Sequence, residues 1–177
     1  LFSEPTKLLH FAPEQCFYKR FRESGTIQYI TTDLNSPLAD VKADICNLPF
    51  ADHEFDMILC NHVLEHIPDD AQAMKEMYRI LKPGGTAIFQ VPLENDRELT
   101  FEDNSITNRA ERARIFGQYD HVRIYGMDYF DRLRSIGFEV QAVDYTKQLS
   151  PEKVDYYRLA MGELIPFVTK PDSLHTD

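Results

Sequence analysis

Residues 55–91 read FDMILCNHVLEHIPDDAQAMKEMYRILKPGGTAIFQV. Two short apolar runs bound this stretch, FDMILC at 55–60 and TAIFQV at 86–91. Runs of that length without clean alternation suit strands buried on both faces of a parallel sheet. Between them, residues 69–82 place Ala71, Met74, Met77, Tyr78 and Leu81 on one stripe at spacings of three and four, which predicts an amphipathic helix. Asp69 and Asp70 bring negative charge to its start and Lys82 positive charge to its last turn, and Pro83-Gly84-Gly85 ends it.

The same order continues on both sides. Residues 7–12 (KLLHFA), 27–34 (IQYITTDL) and a short run at 41–43 read as strands before this unit, and 138–145 (FEVQAVDY) alternates as a half-buried strand after it. Residues 164–169 (LIPFVT) form a last strand that Pro166 would confine to an edge or a bulge. Further helices are expected at 14–23, ending before Gly25, and at 127–136, stopped by Gly137. Strand and helix alternate, so the fold class is α/β, an open sheet with helices on both faces. Residues 94–125 carry many charges and few strand signals, and read as an inserted segment or lid.

The 177 residues suit one domain spanning 1–177, since domains run to about 100–150 residues. With 43% apolar and 27% charged residues the balance is that of a globular chain, not a disordered one. A formal charge of −10 argues against nucleic acid as a partner, because phosphate contacts need clustered Lys and Arg. No apolar run reaches the roughly 18 residues of a membrane span, and the first residues lack the pattern of a signal peptide. Cys16, Cys46 and Cys60 are odd in number without CxxC spacing, which reads as reduced thiols in a cytoplasmic protein. The chain opens on Leu1, so natural N-terminal sequence is expected to precede it.

Open α/β sheets bind ligands outside the carboxyl ends of their strands. The residues to read are therefore Phe11, Ala12, Pro13 and Glu14 after the first strand, Asp33-Leu34 after the second, Asp44-Ile45 after the third, and Asn61-His62 after the fourth. A carboxylate at the end of the second strand can accept from both hydroxyls of a ribose diol. Asp33 has a second reading as a turn residue, since Asp-Leu-Asn-Ser-Pro is good turn chemistry.

The ordered set Asp44, Leu48-Pro49-Phe50, Asp52, Phe55-Asp56, Val63-Leu64-Glu65-His66 and Leu81-Lys82-Pro83-Gly84-Gly85, within 43–92, resembles the core of class I S-adenosylmethionine-dependent methyltransferases, and within them the type 11 group. The resemblance implies a Rossmann-like, doubly wound, seven-stranded, mostly parallel sheet with one antiparallel strand. It also implies S-adenosyl-L-methionine as cofactor; the lack of a basic groove for nucleic acid then points to a small-molecule substrate with an oxygen or nitrogen nucleophile. Asp33 would then hold the ribose, Leu34 would pack on the adenine, and Asp44 and Ile45 would read the adenine edge. Asn61 and His62 would line the methionine end. The family's first loop is glycine-rich, whereas His10-Phe11-Ala12-Pro13-Glu14 stands here, with Ala12 and Glu14 at the glycine positions. Glu14 is expected to meet the cofactor's ammonium group. The alternative is a non-catalytic domain of the same fold, its site closed by that loop.

His62-Val63-Leu64-Glu65-His66 also has the H-x-x-E-H form of a zinc peptidase. Pro68 leaves it about one helical turn, too little to hold His62 and His66 as a ligand pair, so no metal ligand is assigned there. In the polar-aromatic run 117–126, His121 is a candidate general base, Arg123 a candidate anchor for an acidic substrate group and Tyr125 its orienting partner. The RAERAR run at 109–114 reads as a solvated helix face. Tyr156, Tyr157 and Arg158 read as packing before the last strand.

Overall fold

The computed structural model describes residues 4–172. In chain order the elements are β1 (Thr6–Phe11), α1 (Gln15–Arg22), β2 (Ile27–Asp33), β3 (Val41–Lys42), β4 (Phe55–Cys60), α2 (Asp70–Ile80), β5 (Leu81–Ile88), β6 (Phe101–Glu102), α3 (Arg109–Phe116), β7 (Arg123–Ile124), α4 (Tyr129–Ile136), β8 (Glu139–Val143), α5 (Pro151–Tyr157) and β9 (Ile165–Thr169). Seven strands form one sheet in the order β3-β2-β1-β4-β5-β9-β8. β1 to β5 pair in parallel, and β9 runs antiparallel to both of its neighbours. This is the expected α/β sheet with one antiparallel strand.

Side chains alternate across that sheet because successive Cβ atoms point to opposite faces. Leu8, Met57 and Leu59 pack with Phe21 of α1 on one face. Leu9, Ile58 and Cys60 join Met74 and Met77 of α2 and Leu133 of α4 on the other. Asp69 caps α2 by accepting from the Gln72 N–H at 2.9 Å. The buried stripe of α2 runs through Asp70, Ala73, Met74, Met77 and Ile80, so Ala71, assigned to it above, lies outside.

Lys82-Pro83-Gly84-Gly85, read as the end of the helix, interrupts the pairing of β5 with β4, and Gly84 takes φ of 72° there. Pairing passes from Leu81 opposite Phe55 to Thr86 opposite Met57 across it. β9 lies inside the sheet, not at its edge. The strand tolerates Pro166 because its pairing with β5 covers only Phe167 to Thr169. There the missing N–H is not needed, while the Pro166 carbonyl accepts from the Phe89 N–H.

Residues 94–125 carry their own structure. β6 and β7 pair antiparallel, and the segment's ends are joined where the Glu94 N–H donates to the Tyr125 carbonyl at 3.0 Å. Gly126 allows this closure, since a Cβ there would lie 2.7 Å from the Leu99 carbonyl carbon. Tyr156 and Tyr157 are exposed and Arg158 takes a left-handed C-cap conformation, so none packs as expected before the last strand. Among the described residues no helix is long and apolar enough to cross a membrane.

Candidate active site

The carboxyl ends of β1, β2 and β4 open into a cleft of about 580 Å³. Seven of the ten expected cofactor residues line it: Phe11, Ala12, Asp33, Leu34, Asp44, Ile45 and His62. They meet because neighbouring parallel strands end side by side, with Phe11 paired to Thr32 and to Cys60.

Ala12 turns the chain out of β1 with φ of 44°, a left-handed conformation that glycine adopts freely and alanine does not. The alanine therefore keeps the sharp turn of a glycine loop at a local cost. Ala12→Gly is expected to stabilise the ligand-free protein by about 0.5–1 kcal/mol, read as a higher urea midpoint at unchanged m value. A lowered midpoint would show that the turn carries no such strain.

Asp33 fills one expected role visibly. Its Oδ1 accepts from the Asn35 N–H at 2.7 Å and the Ser36 N–H at 2.6 Å, the turn chemistry read from sequence. Its other oxygen takes no hydrogen bond from a described residue. Asp44 is divided in the same way, with Oδ1 accepting from the Cys46 N–H at 2.9 Å. Leu34 is 62% exposed beside them, an apolar side chain with little packed on it.

Pro13, Glu14 and Asn61, also expected at the cofactor, are not among the cleft's lining residues. Pro13 is buried. The Glu14 carboxylate pairs with His10 Nε2 and accepts from Asn61 Nδ2 at 2.9 Å. His10, fully buried, is held from its other side by the Tyr29 hydroxyl at 2.8 Å. Burial alone would raise the Glu14 carboxyl, but the His10 and Asn61 hydrogen bonds and the charge of His10 hold it below its ordinary value. This inward pairing corrects the expectation that Glu14 stands ready for an ammonium group. Asn61 Oδ1 and Gln90 Oε1 remain buried acceptors without a partner among the described residues.

Arg123 and Tyr125 are likewise corrected. Arg123 is 2% exposed, and its guanidinium donates to the Leu64, Ile67 and Pro68 carbonyls and to Glu102. Tyr125 is fully buried and its hydroxyl donates to Asp70 at 2.7 Å. Burial, with the charge of Asp70 beside it, pushes that hydroxyl well above its ordinary pKa. Side chains so enclosed have no donor left for a substrate. Together they fasten the turn after β4 to the segment before α4.

His121 lies in a neighbouring cavity of about 420 Å³ with Glu65 and Phe116, and not in the cleft at the strand ends. Its Nδ1 donates to the Phe116 carbonyl at 3.2 Å, which leaves the lone pair of Nε2 available. His62 has φ of 54° and faces Glu65 at 3.6 Å, and that contact raises its pKa above the ordinary value.

The cleft also holds residues that the motif did not reveal. His66 reaches it from the one-turn helix Leu64–His66, and Arg112 and Asp120 reach it from the 94–125 segment. Arg112 was expected on a solvated face; instead its Nε donates to the Ile106 carbonyl at 2.8 Å and its side chain walls the cleft. Charge spacing along α3 carried no signal for this, because the placement depends on where the whole segment folds back.

Fold and cleft together define a Rossmann-like α/β domain with a binding cleft at the carboxyl ends of its strands. A family model described as "Methyltransferase domain" matches residues 14–89. Demethylmenaquinone methyltransferase of Staphylococcus carnosus is 50% identical over 48 residues, covering 27% of this chain and 20% of the relative. 2-phytyl-1,4-naphtoquinone methyltransferase of Nostoc punctiforme is 40% identical over 117 residues, covering 58% of this chain and 50% of the relative. The chain thus spans half or less of these two relatives' own length. Among solved structures, a 1,6-didemethyltoxoflavin-N1-methyltransferase of Burkholderia thailandensis, with 1,6-didemethyltoxoflavin and S-adenosylhomocysteine bound, superposes with a TM-score of 0.63 at 17% identity. The superposition covers 96% of this chain and 72% of that one. Over residues 14–89 the chain is thus similar to the class I S-adenosylmethionine-dependent methyltransferases of the type 11 group.

Proposed function

We propose that the protein transfers a methyl group from S-adenosylmethionine to a small-molecule acceptor. The observation that carries this reading is the pair of half-used carboxylates, Asp33 and Asp44, on the rim of one cleft with the exposed Leu34 between them. The cofactor fits this donor set. The open oxygen of Asp33 would accept from the ribose hydroxyls, Leu34 would cover the adenine, and the open oxygen of Asp44 would accept from its amino group. When bound, the cofactor supplies a sulfonium methyl carbon open to in-line displacement.

The chain's own contribution is position and the exclusion of water. Glu14 is tied to His10 and Asn61, so the bulky side chain at a glycine position of the first loop is not part of the cleft's lining. This favours the enzyme over the non-catalytic alternative. Residues 94–125 are proposed as the lid on the acceptor side, since Arg112 and Asp120 form part of the cleft wall. The names of the quinone methyltransferases above add quinone-type rings to the oxygen and nitrogen nucleophiles expected as acceptors.

Titration calorimetry with S-adenosylhomocysteine, followed by methyl transfer to a panel of hydroquinones, phenols and amines, tests the proposal. Stoichiometric micromolar binding and homocysteine-nucleoside release with one acceptor class are expected. No binding at millimolar ligand would overturn it.

A further inference from the structure

We infer that Glu65, His66 and His121 form a binding site for a first-row divalent transition-metal ion of the zinc type. One ligating atom from each lies within 4.8 Å of the other two. The His66 and His121 rings stand edge to face with centroids 4.7 Å apart. Glu65 is 2% exposed, and its Oε2 is buried with no hydrogen-bond partner among the described residues. A buried carboxylate oxygen is ordinarily paired or bound to a metal.

His121 has the arrangement that metal-binding histidines share, one nitrogen engaged by an outer partner so that the other is free, and His66 has a carboxylate close to one of its nitrogens. His121 Nδ1 donates to the Phe116 carbonyl at 3.2 Å, and His66 Nδ1 faces Asp120 Oδ1 at 3.5 Å. The scaffold beneath is rigid. The Val122 N–H donates to the Glu65 carbonyl at 2.9 Å, and buried Arg123 clasps the Leu64, Ile67 and Pro68 carbonyls. These contacts hold the turn that bears Glu65 and His66 against the strand that follows His121.

Two imidazoles and one carboxylate favour zinc or its neighbours over magnesium or calcium, which prefer oxygen ligands alone. Tetrahedral bonds of about 2.0 Å place ligand atoms about 3.3 Å apart, so the side chains need draw in by little more than an ångström. The H-x-x-E-H reading fails in its original form, since it paired His62 with His66. The third ligand comes from His121, far along the chain, and one helical turn is sufficient for the two that remain. Ligation uses the same His121 lone pair that a general base would use, so the two roles exclude each other.

The test is made on chelator-treated protein without cofactor, so that its outcome stands apart from the methyltransferase reading. Zn2+ is titrated by calorimetry, and Co2+ by the visible absorption that low-coordinate Co2+ develops. One equivalent is expected to bind with micromolar or tighter Kd. His66→Ala, His121→Ala and Glu65→Gln should each weaken it at least tenfold, with circular dichroism confirming that each variant is folded. If a histidine variant fails to fold, Glu65→Gln, nearly isosteric, decides. No one-to-one binding by the unaltered protein, or binding that keeps its affinity in the folded variants, would overturn the inference.

Discussion

Asp33→Asn is expected to weaken S-adenosylhomocysteine binding by about 10–100-fold while leaving the ligand-free protein as stable as before. The substitution separates the two things Asp33 does. An asparagine carbonyl can still accept from the Asn35 and Ser36 N–H groups, so the turn after β2 survives. The second oxygen becomes an amino group and can no longer accept from a ribose diol. A hydrogen bond to a charged group contributes about 1.5–3 kcal/mol, which is the origin of the expected range. Calorimetry for the ligand and a thermal melt of the free protein read the two roles independently. Unchanged affinity would mean that Asp33 is a turn residue only, and the cofactor assignment of the cleft would lose its main support.

Arg123→Met should destabilise the fold by about 3–5 kcal/mol, the usual penalty for removing one partner from a buried ion pair. Asp70 is nearly buried beside Arg123, and the carbonyls of Leu64, Ile67 and Pro68 would lose their donor. The loss is a large share of the roughly 5–15 kcal/mol that holds a domain folded. Arg123→Lys is expected to rescue only part of it, because one ammonium cannot reproduce the guanidinium fork that reaches three carbonyls and Glu102. Urea unfolding gives the measurement. A Met variant within about 1 kcal/mol of the parent would show that the turn after β4 holds without the clasp, and would return Arg123 to the substrate side.

Much of the fold was legible along the chain because strand and helix periods are local. The runs at 55–60 and 86–91 and the stripe between them rest on residues within one or two turns of each other. So does the turn signal at Asp33, whereas the helix stop read at Pro83-Gly84-Gly85 falls three residues earlier, after Ile80. The same locality explains why seven of the expected residues line one cleft: they stand at strand ends, and parallel strands end together. The misplaced ones depend on distant partners. Pro166 reads as an edge residue until β5 and β9 are paired, when the missing N–H falls outside the paired run. Glu14 reads as a cofactor ligand until His10 and Asn61 claim it.

By itself, then, the sequence determined the α/β alternation, the methyltransferase core within 43–92 and the carboxylates at the ends of β2 and β3, because hydrophobic period and turn chemistry act over a few residues. Only the tertiary structure decided the fate of residues 94–125. It buried Arg123 and Tyr125 under the turn after β4, turned Arg112 and Asp120 into the cleft, and set His121 beside Glu65 and His66. Burial and hydrogen-bond satisfaction are properties of the closed molecule. A charged side chain in a polar stretch reads as free until the groups that surround it are known.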